Sequence, residues 1–125
     1  MIDIIDDMVK KAGRVLAFGG RVYRSYPQLL DRMSAFAVVN PAGRQTLLSD
    51  DDGSEIIVSL TYTVSIFDET PEAVDDRFRE LTSIYNVAHI QNAGYSPAYQ
   101  TTNNMYTAQA TYTAKVDKRG FVYAR

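Results

Sequence analysis

The feature that most constrains the fold is an alternating run of residues at positions 55–67. One set of positions holds aliphatic residues and a tyrosine, and the intervening set holds serines and threonines between Ile57 and Phe67. Successive side chains of a β-strand point to opposite faces, so the run predicts a long strand with one buried face and one wet or lumen-like face. The residues predicted to be buried are Ile56, Val58, Leu60, Tyr62, Val64 and Ile66.

The residues before this strand predict its antiparallel partner. A first arm covers 35–39 and either ends there or continues past the Asn-Pro-Ala-Gly sequence at 40–43 to Leu48. Positions 49–53 read Ser-Asp-Asp-Asp-Gly. Asp-Gly is a strong hairpin signal, because glycine tolerates positive φ and aspartate hydrogen-bonds its local backbone. The segment 35–67 is therefore predicted to form a long β-hairpin.

Two further segments predict strands. Residues 21–26 alternate briefly, and Pro27 either ends that strand or confines it to a sheet edge. Residues 105–117 alternate over a longer run, in which small alanines leave room for a helix to lie close to the sheet. Residues 95–104 have the composition of a loop. The predicted core positions of the last strand are Tyr106, Ala108, Ala110, Tyr112, Ala114 and Val116.

Two segments predict amphipathic helices. Residues 2–18 carry apolar side chains at steps of three and four, with acids first and bases last, and Gly19 and Gly20 end the segment. The second helix begins at Thr70, an N-cap residue followed by a proline at the first helical position. Its apolar stripe consists of Val74, Phe78, Leu81, Tyr85 and Ala88.

These elements predict an α+β fold in a single domain over 1–125. We expect a mainly antiparallel sheet of about four strands with two helices packed on one face, in the order helix, strand, hairpin, helix, strand. A short basic C-terminal tail, residues 118–125, follows the last strand.

Composition excludes several classes of function. The chain has 13 basic and 15 acidic residues and a net charge of −2, which does not favour a dedicated nucleic-acid binder. It has no cysteine and one histidine, which excludes disulfides, thiolate zinc sites and multi-histidine metal sites. The N-terminal sequence has acids where a signal peptide needs bases, and no apolar stretch is long enough to span a bilayer. We therefore expect an intracellular protein, or one that joins a larger assembly after synthesis.

No catalytic constellation is present in the sequence. The Asp50-Asp51-Asp52-Gly53 segment fails as an EF-hand, because the loop's first ligand position falls on Leu48. His89 has no acid or nucleophile in a recognised frame, and its position near a helix end favours a capping role. We expect no enzyme activity, no cofactor and no metal.

The charge pattern points to surfaces that meet other protein. Positions 81–114 contain no charged residue and include Tyr95 and Tyr99. Such a stretch is either a half-buried strand with a polar loop or an interface, because interface centres are poor in charge and rich in tyrosine. The tail docks on its own sheet or on a neighbouring subunit. The interface candidates are Tyr95, Tyr99, Lys118, Arg119, Phe121, Tyr123 and Arg125.

The order and texture of these elements resemble a known family. A short helix, a tyrosine-containing strand ending in Pro27 and a hairpin around Asp52-Gly53 come first. A strand closing in Val64-Ser65-Ile66-Phe67, an amphipathic helix, a Gly94-Tyr95 loop and a Tyr/Thr strand follow. Across nearly the whole chain this is similar to the tail-terminator proteins of long-tailed bacteriophages, which include tail-completion and head–tail joining proteins.

The resemblance implies a structural protein of the virion, at the junction of tail and head, assembled in the host cytoplasm. Such a protein forms a ring, usually of six copies, that ends the tail tube and offers a docking face to the head connector. Its implied partners are the tail tube protein, a head connector or stopper protein and further copies of itself. DNA is only passing cargo, and no membrane is involved. Three aspartates at the hairpin turn would then lie near the lumen: Asp50, Asp51 and Asp52.

Three other functions stay open at this point. One is another neck component, an adaptor or stopper between portal and tail. A second is a small-molecule-binding domain or enzyme on an α+β sheet, which requires convergent polar groups in a pocket beside His89 or Tyr99. A third is an antitoxin-like or regulatory interaction domain.

Overall fold

Two helices and six strands follow one another in the described part of the chain. The computed structural model describes residues 3–15, 18–19, 21–24, 35–49, 51, 53, 55–101 and 105–123. The elements are α1 (Ile5–Ala12), β1 (Val22–Tyr23), β2 (Phe36–Ser49), β3 (Glu55–Asp68), α2 (Pro71–Val87), β4 (Gln91–Tyr95), β5 (Tyr99–Gln100) and β6 (Tyr106–Asp117).

The strands form one mixed sheet in the order β1-β2-β3-β6-β4, and β5 also pairs with β6. β1 runs parallel to β2, and the other pairs are antiparallel. The α+β class is confirmed, but the expectation of about four strands is wrong. β4 and β5 lie within or beside the segment predicted to be a loop, and their polar side chains give no strand signal. They become strands because β6 offers them a hydrogen-bonding edge.

The long hairpin is confirmed, including the continuation of its first arm to Leu48. β2 and β3 have 14 residues each and pair along their length. Register shifts occur after Pro41 and around Leu48. Proline lacks the N–H that a regular ladder needs, so its place beside a bulge is physically consistent. The hairpin turn contains Gly53 at a φ of 81°, a conformation that glycine adopts without strain.

Both helices pack against one face of the sheet and share its core. The β3 and β6 positions predicted to be buried do lie in this core, apart from half-buried Ile56 and Tyr106. The hydroxyl of Tyr85 donates a 2.8 Å hydrogen bond to the carbonyl of Met8, which ties α2 to α1. The Tyr62 hydroxyl accepts from the N–H of Ile4 at 3.0 Å and donates to Asp3 at 2.6 Å. The N-terminal segment is thus held by buried tyrosines of the sheet and of α2.

The first helix is shorter than predicted. It ends at Ala12 rather than near Gly19, and Gly13 follows it directly. Glycine is a poor helix former, so helical spacing of apolar residues beyond it does not extend the helix. Met8, Ala12 and Val15 are buried as the spacing indicated. Gly20 and Pro27 lie outside the described residues. The predicted strand at 21–26 is described only at 21–24, and β1 lies at the sheet edge.

The second helix has the predicted start and apolar stripe. The Thr70 side chain accepts a hydrogen bond from the N–H of Ala73 at 3.1 Å, and proline stands at the first helical position. The helix ends at Val87 with Ala88 as its C-cap, and His89 follows with a φ of +64°. Here the N–H of Ile90 bonds the carbonyl of Tyr85, and the N–H of His89 bonds that of Asn86. This is a Schellman motif, in which the backbone of His89, rather than its imidazole, closes the helix.

The other face of the sheet is buried near Phe67 and only half-buried along the rest of β3. Where we expected a wet face, Phe67 and Ser65 are buried. Phe67 stacks on Phe36 with ring centroids 4.5 Å apart, and a small apolar cluster forms around them with Val38, Met105 and Tyr23. The prediction fails here because Phe36, Val38 and Met105 come from other segments whose register the alternation does not reveal.

Candidate assembly surfaces

The C-terminal tail folds back on its own sheet through Tyr123. The N–H of Tyr123 bonds the carbonyl of Lys115 at 2.8 Å, and Val122 bridges to Val116. Of the two docking alternatives, the described part of the tail adopts the first. Arg125 lies outside the described residues.

A single buried carboxylate organises this tail. One oxygen of Asp117 accepts from the backbone N–H groups of Arg119 (2.9 Å) and Phe121 (3.1 Å). The other accepts from the Arg119 guanidinium at 2.8 and 3.1 Å and from the Tyr123 hydroxyl at 3.2 Å. Sequence alone gave no reason to single out Asp117, because it stands at the last alternating position like any exposed polar residue.

These bonds control the ionisation of Asp117. Burial by itself would raise the pKa of the carboxyl, but the bonds from the Arg119 side chain and from the two backbone N–H groups hold the pKa below its usual value. Since the pKa in the folded state lies below that of the unfolded state, the anchoring is present above the ordinary carboxyl pKa. It is lost as the pH falls through the lowered pKa.

Three of the tail's candidate residues are exposed at the turn: Lys118, Arg119 and Phe121. Phe121 is 59% exposed although its backbone is anchored, and the Arg119 guanidinium lies 4.7 Å from its ring centroid. Such a stacked pair of a cation and an aromatic ring presents both charge and apolar area. Lys118 is exposed at the same turn. The backbone of this turn is therefore anchored by hydrogen bonds, whereas its charged and aromatic side chains are exposed.

Tyr95 belongs to β4 and anchors that strand on α2. Its hydroxyl donates to the carboxylate of Asp75, and its ring meets Phe78 edge-to-face with centroids 5.1 Å apart. Burial and this hydrogen bond raise the pKa of Tyr95 to about 12. The ring still exposes 46% of its surface. Tyr95 is therefore both a structural contact and part of a surface.

A groove of about 430 Å³ lies between α2 and the β4–β6 side of the sheet. Its floor includes the rings of Phe78, Tyr95 and Tyr112, and its rim carries Asp75 and Arg79. Inside it, Thr82 and Tyr112 share a 2.8 Å hydrogen bond between their hydroxyls. This volume suits a small ligand or the side chains of another protein.

Tyr99 is separate from these residues. It lies in β5, pairs with Thr107 near the start of β6, and is 58% exposed. The tail turn follows the other end of β6. Tyr99 and the tail candidates thus lie at opposite ends of β6 and do not form one continuous patch.

The acidic hairpin turn is only partly described. Asp51 is exposed there, and Asp50 and Asp52 lie outside the described residues. The turn stands at the end of a stretch of β2 in which Pro41–Ser49 are all exposed. Sequence reasoning missed Leu47 and Leu48 on this stretch, which are 44% and 50% exposed. Two adjacent leucines beside a turn break the alternation, which is a signal for a surface contact.

A second missed surface is the exposed side of α2. Acidic side chains lie just before this helix and along its first turns, and they form a surface. Glu69, Glu72, Asp75, Asp76 and Glu80 are all exposed.

The remaining chemistry is sparse. A pocket of about 280 Å³ beside His89 is lined by Ser59, Gln91, Thr113 and Lys115 among others. Within the described residues, no group of three metal-ligating side chains is placed to hold an ion. No helix in the described part of the chain is long and apolar enough to cross a bilayer.

Comparison with known proteins finds no family model that matches this chain and no curated protein with significant similarity to it.

Proposed function

We propose that this protein is a structural subunit of a phage virion that forms a ring, usually of six copies, on the finished tail tube. The ring ends tube polymerisation and offers a docking face to the head connector. Its partners are the tail tube protein, a connector or stopper protein and other copies of itself, at the junction of tail and head. The hairpin turn around Asp51 would face the DNA channel, where an acidic surface lets DNA pass by repulsion.

The observation that carries the proposal is the placement of the exposed apolar residues. Leu47 and Leu48 lie in the exposed half of β2, residues Pro41–Ser49, which we call its distal half. Tyr95 lies on β4, at the opposite edge of the sheet, and Phe121 lies in the tail turn. A closed ring needs a heterologous interface, with two different patches on each subunit. A chain with separate exposed apolar patches at opposite edges of one sheet meets that requirement.

The nearest alternative is an adaptor or stopper protein of the same neck. Electron microscopy of lysates from the phage with this gene disrupted separates the two. We expect filled heads without tails alongside overlong or ragged free tubes. Tails of normal length that fail to join heads would instead indicate the adaptor or stopper. Normal infectious particles would refute both.

A further inference from the structure

The segment that leads into α2 and the segment at the end of β6 carry opposite net charge. Residues 68–80, which lead into α2 and form its first half, contain six acidic residues and two arginines, a net charge of −4. Residues 115–123 contain three basic residues and one acid, a net charge of +2. That one acid is Asp117, which is buried and bound to Arg119, whereas Lys115, Lys118 and Arg119 are exposed. We call the exposed acids of 69–80 the acidic face and residues 118–123 the basic turn.

These two surfaces cannot meet within one copy. Asp68 pairs with Tyr106 at the start of β6, and the basic turn follows its end. The groove is lined by Ala110 and Tyr112, seven and five residues before Asp117, which at about 3.3 Å per residue places it roughly 17–23 Å along β6 from the basic turn. The backbone bonds of the turn to Asp117 and Lys115 hold it at that end of the strand. The attraction between them is therefore available only between different copies. A contact between the acidic face of one copy and the basic turn of another is heterologous and propagates head to tail.

The groove supplies the apolar part of such a contact. Asp75 and Arg79 line its rim, and Glu72 precedes them by three and seven residues, on the same face of α2. The floor is aromatic, through Phe78 and Tyr95. The basic turn offers a matching unit, an exposed ring of Phe121 under the Arg119 guanidinium. An aromatic ring with cations beside it is thus complementary to an aromatic floor whose rim carries the carboxylate of Asp75 beside Arg79, with Glu72 on the same helix face.

We propose that the basic turn of one copy docks in the groove of a second copy, with Phe121 over the aromatic floor and Lys118 facing the acidic face. The occupant of the groove is this chain itself. The inference rests on the proposed ring, for which it specifies the contact between subunits. Deleting the tail would be a poor test, because it would leave the buried carboxylate of Asp117 without its partners.

A paramagnetic label gives a direct test on the full chain. The sequence has no cysteine, so a nitroxide attached to Ser83→Cys is confined to one site, in the lining of the groove. Labelled copies are mixed with unlabelled, isotope-enriched copies whose amide signals are recorded. We expect loss of signal intensity at residues 118–123 of the enriched copies, weaker at high salt because screening shortens the reach of the charges. A label on Leu48→Cys serves as the matched control.

Charge reversal then separates docking from a merely structural role. Lys118→Glu in the enriched copy should abolish the loss of intensity, and Glu72→Lys in the labelled copy should restore it. Asp51→Lys, a similar change outside the acidic face, should not restore it. No loss at 118–123, or a stronger loss there with the Leu48→Cys label, would overturn the proposal.

This outcome is independent of the phage experiment. If the contact is absent but gene disruption gives overlong tubes, the ring is closed by another surface. If the contact forms but particles are normal, the protein self-associates in another role.

Discussion

The two halves of β2 both pair with β3, but they have opposite surroundings. In the proximal half, Phe36–Val39 are fully buried between the helices on one face and the small aromatic cluster on the other. In the distal half, Pro41–Ser49 are exposed throughout. The change occurs at Pro41, which pairs with Tyr62. A strand that is paired along its length can therefore have one half that stabilises the fold and another that is exposed.

The largest expected effect is on the proximal half. Phe36→Ala removes a fully buried ring that stacks on Phe67. We expect it to lower the free energy of unfolding by about 3–5 kcal/mol, because it deletes transferred apolar area and leaves a cavity. Denaturant unfolding measures this directly.

The matched control lies in the distal half. Leu48→Ala removes an exposed side chain, so the free energy of unfolding should change by no more than about 0.5 kcal/mol. Equal losses for the two variants would mean that the distal half is as much a part of the folding core as the proximal half.

A smaller effect is expected at the boundary between the halves. Tyr62→Phe keeps the buried ring but removes the hydroxyl that binds Ile4 and Asp3. The N–H of Ile4 then loses its acceptor in a buried place, and we expect a loss of about 1–3 kcal/mol in the same unfolding experiment. A loss below a few tenths would show that water replaces the hydroxyl and that the N-terminal segment is not anchored there.

The same residue predicts a pH dependence. Burial and the hydrogen bond to Asp3 raise the pKa of Tyr62 above its ordinary value, and burial does the same for Tyr85 and Tyr112. A folded pKa above the unfolded one gives stability that is complete below the ordinary tyrosine pKa, about 10. It is lost as pH rises through the folded value. Unfolding followed between pH 9 and 12 should show falling stability, less steeply in Tyr62→Phe. An unchanged slope in that variant would refute the role of Tyr62.

How far the sequence predicts this molecule depends on the range of the interactions involved. The hairpin, α2 and β6 follow from local periodicity and capping: the alternation at 55–67 and 105–117, the Asp-Gly turn and the N-cap Thr70 suffice to predict them. β4 and β5 are strands because β6 pairs with them, which no local pattern records. The same holds for surfaces: Phe121 and Tyr95 could be chosen as candidates by composition, but not the role of Asp117 or the groove. Those depend on segments far apart in sequence.

The smallest effect concerns the outer face beside the proximal half. Thr107 pairs with Phe67, and its hydroxyl is buried without a hydrogen-bond partner among the described residues. A buried hydroxyl without a partner opposes folding, so replacing it with a methyl group of similar shape removes that cost. We expect Thr107→Val to leave the free energy of unfolding unchanged or raise it by up to about 1 kcal/mol. Thr63→Val, at a half-buried position on the same face, is the comparison and should give less. A clear loss of stability in Thr107→Val would mean that the hydroxyl has a partner, such as a bound water, and that the outer face is more polar than the aromatic cluster indicates.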